Sequence, residues 1–242
     1  MNPRVRAVFR KELREYRRNR LIVFTMAGMP LLFLVILAGE TFAIPDNVSP
    51  TTLRGAVGQA LLFLQLIPVI IPTTVAAYAV IGEREQGTLE PVLTTPVTDR
   101  ELLAGKAVAA VLPAVAITWA LFAAYVGLAQ VLAPRAVVDR IWTLEQVVAQ
   151  LLLAPALAGF AIVVGFLVSL RSTDIRVAQQ LAVLASLPVI ALLSLATFRI
   201  VEPSVALYAV AAAATFGMDA AGWRLATRLF SRERLLTRYG GS

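Results

Sequence analysis

Residues 82–106 read G-E-R-E-Q-G-T-L-E-P-V-L-T-T-P-V-T-D-R-E-L-L-A-G-K, from Gly82 to Lys106. This is the longest polar passage in a chain otherwise built of apolar runs. Its local chemistry predicts two short helices joined by a turn. Thr88 can cap the first, with Pro91 in the opening turn, where a missing N–H costs nothing. Leu89, Val92 and Leu93 then share one face, while Glu90 and Thr94 look away from it. Pro96 pushes Thr95 out of the helical region and ends the element. Thr98 and Glu101 form a capping box that starts a second helix. That helix continues through Leu102, Leu103, Gly105 and Lys106 into the next apolar run. A small amphipathic helix is therefore joined without slack to a hydrophobic segment, and pushing on one should move the other.

The charge of this stretch points to a protein contact. Glu83, Glu85, Glu90, Asp99 and Glu101 stand against Arg84, Arg100 and Lys106, a net of −2 within a chain of formal net charge +7. A segment meant only to lie on anionic lipid would be basic.

The rest of the chain belongs in a bilayer. Of its 242 residues 59% are hydrophobic, and the mean hydropathy is +0.78, outside the range of an ordinary soluble domain. Six apolar runs follow a polar start, and we read them as spans at 21–39, 57–81, 107–128, 147–170, 178–198 and 204–223. The runs on either side of the polar stretch, Arg54 to Glu83 and Lys106 to Arg135, are each uncharged for 28 residues, and about 20 residues cross a hydrocarbon core of roughly 30 Å. The sixth run is the weakest. It is alanine-rich and spans only if Asp219 lies near the headgroups, neutralised by Arg224 or water, with Trp223 as an interfacial anchor. The fold class expected is an all-α integral membrane protein of six transmembrane helices, one domain over residues 1–242.

Residues 1–20 carry Arg4, Arg6, Arg10, Lys11, Arg14, Arg17, Arg18 and Arg20, with Val5, Val8, Phe9, Leu13 and Tyr16 at helical spacing. This is the pattern of an amphipathic helix in a membrane interface. An N-terminus on the inside gives the cytoplasmic side 18 of the 22 basic residues, leaving Arg54, Arg135, Arg140 and Arg199 outside. The positive-inside bias thus puts both termini and residues 82–106 in the cytosol. Between spans three and four, Asp139, Arg140, Trp142 and Leu144 predict a small interfacial helix. Pro68 and Pro72 are the best hinge candidates, because their span feeds directly into the polar stretch. Gln65, Gln150, Gln179 and Gln180 read as polar glue between helices.

Several chemistries are excluded by composition. The chain has no cysteine and no histidine, which removes disulfides, thiol nucleophiles and His/Cys metal sites. No phosphate-binding G-x-x-x-x-G-K-[ST] loop occurs, so ATP hydrolysis by that route is not available to this chain. The span centres lack the ionisable residues of an ion-coupled carrier. No catalytic, cofactor or metal site is expected.

The run from Glu83 to Lys106 resembles the signature of the type-2 ATP-binding-cassette (ABC-2) permeases, roughly E-x-E-x-G-T-L-E-x-L-L-x-x-P-x-x-x-x-E-x-x-x-G-K. Glu83, Glu85, Gly87, Thr88, Leu89, Glu90, Leu93, Pro96, Glu101, Gly105 and Lys106 match it, and Val92 replaces the first leucine of the pair. The resemblance implies a membrane subunit of an exporter in the bacterial cytoplasmic membrane. Two such subunits, identical or paired with a relative, would sit on two ATP-binding subunits that hold the ATP and magnesium. It also implies that residues 82–106 are the coupling segment, with Glu83, Arg84, Glu85, Gly87, Thr88, Leu89, Glu90, Val92, Leu93, Pro96 and Glu101 bearing on the ATPase. The interfacial helix would touch it too, through Arg10, Lys11, Arg14, Tyr16 and Arg17. The residues alone leave a second reading open: an ATP-independent channel, scramblase or assembly scaffold whose polar stretch binds some other cytosolic protein.

Overall fold

The computed structural model describes residues 2–45, 48–77, 97–172, 174–197 and 204–230. Among them the fold is entirely helical: α1 (Pro3–Arg18), α2 (Arg20–Phe42), α3 (Pro50–Leu64), α4 (Ile67–Ala77), α5 (Asp99–Leu132), α6 (Arg135–Ile141), α7 (Leu144–Ser169), α8 (Ile175–Thr197) and α9 (Val205–Leu229). Five helical stretches are long and apolar enough to cross a bilayer: α2, the α3–α4 pair, α5, α7 and α9. α8, where the fifth run falls, has 23 residues, but its apolar portion within the described residues is the shorter Arg176–Ala191. The alanine-rich sixth run forms a full helix of 25 residues, capped by Ser204, whose hydroxyl accepts from the Leu207 N–H.

Helix α7 is the centre of the bundle, in contact with α4, α5, α8 and α9. Small side chains let its neighbours approach: Ala154, Ala156, Ala158 and Ala161 are all fully buried. A side chain at Gly165 would collide with Ala76 of α4, and one at Gly159 would put its Cβ 2.5 Å from the Asp219 carboxylate of α9. Without a hydrophobic force between helices in lipid, such close backbone approach is the main source of association. Polar contacts add orientation. Gln179 donates to the Thr74 hydroxyl at 2.8 Å, joining α8 to α4, and the Trp119 indole donates to the Gln150 carbonyl at 3.1 Å, joining α5 to α7. The Thr41 and Tyr125 hydroxyls meet at 2.8 Å where α2 packs on α5.

Two spans are irregular, and proline accounts for both. In α2 the turn Phe24–Gly28 is π-helical, with the Met29 N–H bonded to the Phe24 carbonyl. It lies just before Pro30, which cannot donate and whose ring crowds the preceding turn. In the second span the helix breaks at Gln65–Leu66. The Leu64 carbonyl has lost its donor at Pro68, and the chain tightens, Gln65 N–H to Leu62 at 3.0 Å and Leu66 N–H to Phe63 at 3.0 Å. The hinge candidate Pro68 thus coincides with a discontinuity, whereas Pro72 sits inside continuous α4.

Asp219 lies deeper than its sequence context indicates. α9 runs ten residues past it to Leu229, about 15 Å at the rise of an α-helix. The residue it faces, Gly159, is midway along the uncharged run of α7 between Glu145 and Arg171. Its Oδ1 is buried with no hydrogen-bond partner among the described residues, and Arg224 is exposed. The reason is register: Tyr208 and Ala212 pack with Ala149 and Leu153, and Gly222 packs on Val163, so α7 and α9 run parallel and level.

Candidate functional site

Of the residues expected to bear on an ATPase, Glu83, Arg84, Glu85, Gly87, Thr88, Leu89, Glu90, Val92, Leu93 and Pro96 lie outside the described residues. Glu101 and both flanks of the segment lie within them. The flanks are seated together: Val75 and Ala76 at the end of α4 and Leu102 and Leu103 at the start of α5 share one buried cluster with Val8, Tyr16 and Phe166. Whatever moves residues 78–96 therefore acts on α4, α5, α1 and α7 at one place.

The start of α5 is built as the capping box predicts. The Thr98 hydroxyl accepts from the Glu101 N–H at 3.3 Å, and Glu101 Oε2 accepts from the Thr98 N–H at 2.9 Å. α5 then continues unbroken for 34 residues, about 51 Å at 1.5 Å per residue, well beyond a hydrocarbon core of roughly 30 Å. Its first turns, which carry Asp99, Arg100 and Glu101, are thus part of the same rigid rod as its apolar portion. Glu101 has a second task. Its Oε1 accepts from Asn2 Nδ2 at 2.6 Å, and Arg4 lies 3.6 Å from Oε2. The Thr98 backbone N–H first, then the Thr98 hydroxyl and Arg4, hold its carboxyl below the ordinary carboxylate value.

Helix α1 lies along these first turns of α5. The amphipathic pattern read from the sequence is present, but its apolar face is covered by protein: Val8 and Tyr16 are buried, and Phe9 and Leu13 pack at the edge of the same cluster. Gly105 makes the contact close, since a Cβ there would lie 2.5 Å from Val8 Cβ and 3.2 Å from the Val5 carbonyl oxygen. One turn from Val8, Glu12 reaches Lys106 Nζ at 2.9 Å, and both side chains are only 3% exposed. Lys11 Nζ lies 3.4 Å from the same Glu12 oxygen and 3.1 Å from Glu15. Asn19 then serves as the elbow: its N–H closes α1 on the Glu15 and Tyr16 carbonyls, and its side chain accepts from the Leu21 and Ile22 N–H groups that open α2.

The residues expected on the interfacial helix divide accordingly. Arg10, Arg14 and Arg17 are exposed, Tyr16 faces the protein, and Lys11 is engaged on its own helix. Sequence reasoning missed Glu12, and it matched Gly105 and Lys106 to a pattern without assigning them work. A signal was present. Glu12 falls at helical spacing between Val8 and Tyr16, a charge in the middle of an apolar face, which calls for a buried partner.

A multi-pass helical membrane protein, with a polar stretch of sequence between two spans and an N-terminal helix fastened to the head of the span that follows it, has the build of a transport component. The family model for ABC-2 family transporter proteins matches residues 6–218, and the chain belongs to that family. No curated protein matches it. Members of this family are membrane components of transport and generally work with an ATPase subunit.

Proposed function

We propose that this chain is the permease subunit of an ATP-driven exporter, with a separate ATPase subunit gripping residues 82–96 and driving α4 and α5. The observation that carries the reading is the fastening of α1 to the head of α5, through Gly105 and the Glu12–Lys106 pair, beside both ends of the coupling segment. A force applied to that segment meets a braced, continuous helix rather than a loose loop, so it is passed into the bundle. Leu89, Val92 and Leu93 would fill a cleft on the ATPase, with Glu83, Glu85 and Glu90 pairing with basic groups at its rim and Glu101 holding the start of α5. Arg10, Arg14 and Arg17 remain as the exposed basic face of α1 for the same partner or for anionic headgroups. The Gln65–Leu66 break ahead of Pro68 would serve as the hinge. In this reading α8 is a sixth span, both termini are cytoplasmic, the membrane is the bacterial cytoplasmic membrane, and two permeases enclose the pathway. ATP and magnesium bind in the partner.

The test is affinity purification of the tagged chain in mild detergent from the cells that naturally produce it, with identification of any co-purifying ATPase. Wild-type chain should retain the ATPase, and Leu89→Asp or Glu90→Arg should insert normally but lose it along with stimulated ATP hydrolysis. Undiminished retention by both variants would reject the assignment of this segment. Transport by the chain alone in liposomes without ATP would favour a stand-alone channel or scramblase instead.

A further inference from the structure

The arginines of residues 1–20 are all exposed, and the packing of α1 sorts them by depth. The N-terminal part of α1 advances with the head of α5 toward the bilayer: Asn2 and Arg4 meet Glu101, Val8 meets Gly105, and Glu12 meets Lys106. Beyond the elbow at Asn19, Ile22 is buried in one cluster with Val75 and Ala76, the last turn of α4, and with Leu103 of α5. The elbow therefore stands where α2, α4 and α5 share one boundary. Leu21, Val23 and Phe24, just past it, are exposed apolar side chains, a surface that acyl chains cover in a bilayer. Arg14, Arg17, Arg18 and Arg20 are thus held at the height of the phospholipid headgroups, whereas Arg4 and Arg6 stand further out in water.

The charge of these four is uncompensated. None of them forms an ion pair among the described residues. The one acid between them, Glu15, lies 3.1 Å from Lys11 Nζ, and residues 14–20 carry a net charge of +3. Arg14 and Arg18 are one turn apart on the face of α1 turned away from α5, and Arg17, Arg18 and Arg20 bracket the elbow. Apolar burial in lipid is not open to α1, because Val8 and Tyr16 are already buried in protein. What its outer face offers the membrane is guanidinium groups, whose paired N–H donors match the oxygens of a phosphate. A choline or ethanolamine headgroup brings its own cation to such a cluster and is repelled by it, so a headgroup of net negative charge fits best.

We propose that Arg14, Arg17, Arg18 and Arg20 form a binding site at the α1–α2 elbow for the phosphate of a net-anionic phospholipid. The depth of the four residues, next to side chains that acyl chains cover, favours a lipid over an acidic protein surface. This commits the membrane end of the basic face of α1 to one partner. It rests on the chain spanning a bilayer and requires no ATPase.

The test uses the full chain alone in nanodiscs of equimolar phosphatidylglycerol and phosphatidylcholine. Native mass spectrometry of the released chain should show phosphatidylglycerol retained in excess over phosphatidylcholine. Each arginine replaced in Arg14→Gln/Arg17→Gln or Arg18→Gln/Arg20→Gln should lower that excess about fivefold, the scale of one basic residue near an anionic surface. Arg4→Gln/Arg6→Gln removes the same charge from the outer end of α1 and should leave the excess unchanged. Should a variant fail to insert, an otherwise native chain decides: a fluorophore on Leu21→Cys, in a chain without native cysteine, should be quenched more by brominated phosphatidylglycerol than by brominated phosphatidylcholine, and raised salt should narrow the difference. Equal quenching by the two lipids, or an equal loss of retention in the Arg4/Arg6 variant, overturns the proposal. So does lipid retention that is untouched by all four elbow substitutions while capture of the ATPase is lost, which would give this face to a protein partner.

Discussion

The Glu12–Lys106 pair can be tested as a two-site cycle. At 2.9 Å, Coulomb's law with an effective dielectric constant of about 20 gives roughly 6 kcal/mol of gross attraction. Desolvating the two ions consumes most of this, so the net worth of the pair is small, but the loss of one partner is not. Glu12→Leu removes the carboxylate that lies 2.9 Å from the buried Lys106 ammonium, and Lys106→Met leaves a carboxylate that is 3% exposed. Breaking a buried pair from one side costs about 3–5 kcal/mol. For Lys106→Met the lower end applies, because Lys11 is already 3.4 Å from the stranded oxygen. The double variant replaces the pair with apolar groups of similar size and should cost less than either single change. The assay is reversible unfolding in bicelles, with α1 detachment followed by the accessibility of a cysteine introduced at partly buried Leu13, which packs against the α1–α5 cluster. A coupling energy of about 3 kcal/mol is expected. Additive single and double effects would refute the idea that this pair fastens α1 to α5.

Three other perturbations probe the same packing. Gly105→Val should destabilise the α1–α5 contact by about 1–3 kcal/mol as an overpacking change, and Val8→Ala in the same chain should recover part of it, measured by the same unfolding assay. Because the Glu101 carboxyl is held low, its contribution to the α5 cap is complete above the ordinary value of 4.5 and is lost as the pH falls through the lowered folded value. The protection of the Thr98–Leu102 amides from exchange, relative to the intrinsic rate at each pH, should therefore fall as the pH drops below the ordinary value of 4.5, and Glu101→Gln should flatten that pH dependence. Gly159→Ala should loosen α9 from α7, since its Cβ would meet Asp219 Oδ2 at 2.5 Å. Asp219→Ala should relieve this, with thermal unfolding in detergent as the readout; no rescue would mean that the α7–α9 register differs.

Local signals in the sequence gave up their elements readily. The Thr98–Glu101 box, the unbroken passage from polar segment to span, and the short helix near Asp139 and Arg140 are set by residues a few positions apart, and each is present; five of the six apolar runs form helices long enough to cross a bilayer, while the fifth has a shorter apolar portion within the described residues. Features set by contacts between distant positions were not legible. Glu12 and Lys106 are 94 positions apart, so neither sequence neighbourhood shows why a carboxylate interrupts an apolar face or why a lysine follows Gly105. The depth of Asp219 depends on the register of α9 against α7, to which local composition is blind; that register is set by Tyr208 and Ala212 against α7 and by the close approaches at Gly159 and Gly222. Proline marked both irregular spans. Its position did not reveal whether the outcome would be a π turn, as before Pro30, or a break, as before Pro68, because the neighbouring helices decide that.

The account rests on α1 and the head of α5 moving as one body when the partner works. The chain has no native cysteine, so spin labels at Arg6 and Arg100, both exposed, report that distance without background, and labels at Arg100 and exposed Arg171 report α5 against α7. In the assembled complex, the first distance distribution should be the same without nucleotide and with ATP trapped, while the second shifts. A shift in the first pair, with the second unchanged, would show that the clamp opens instead of transmitting force.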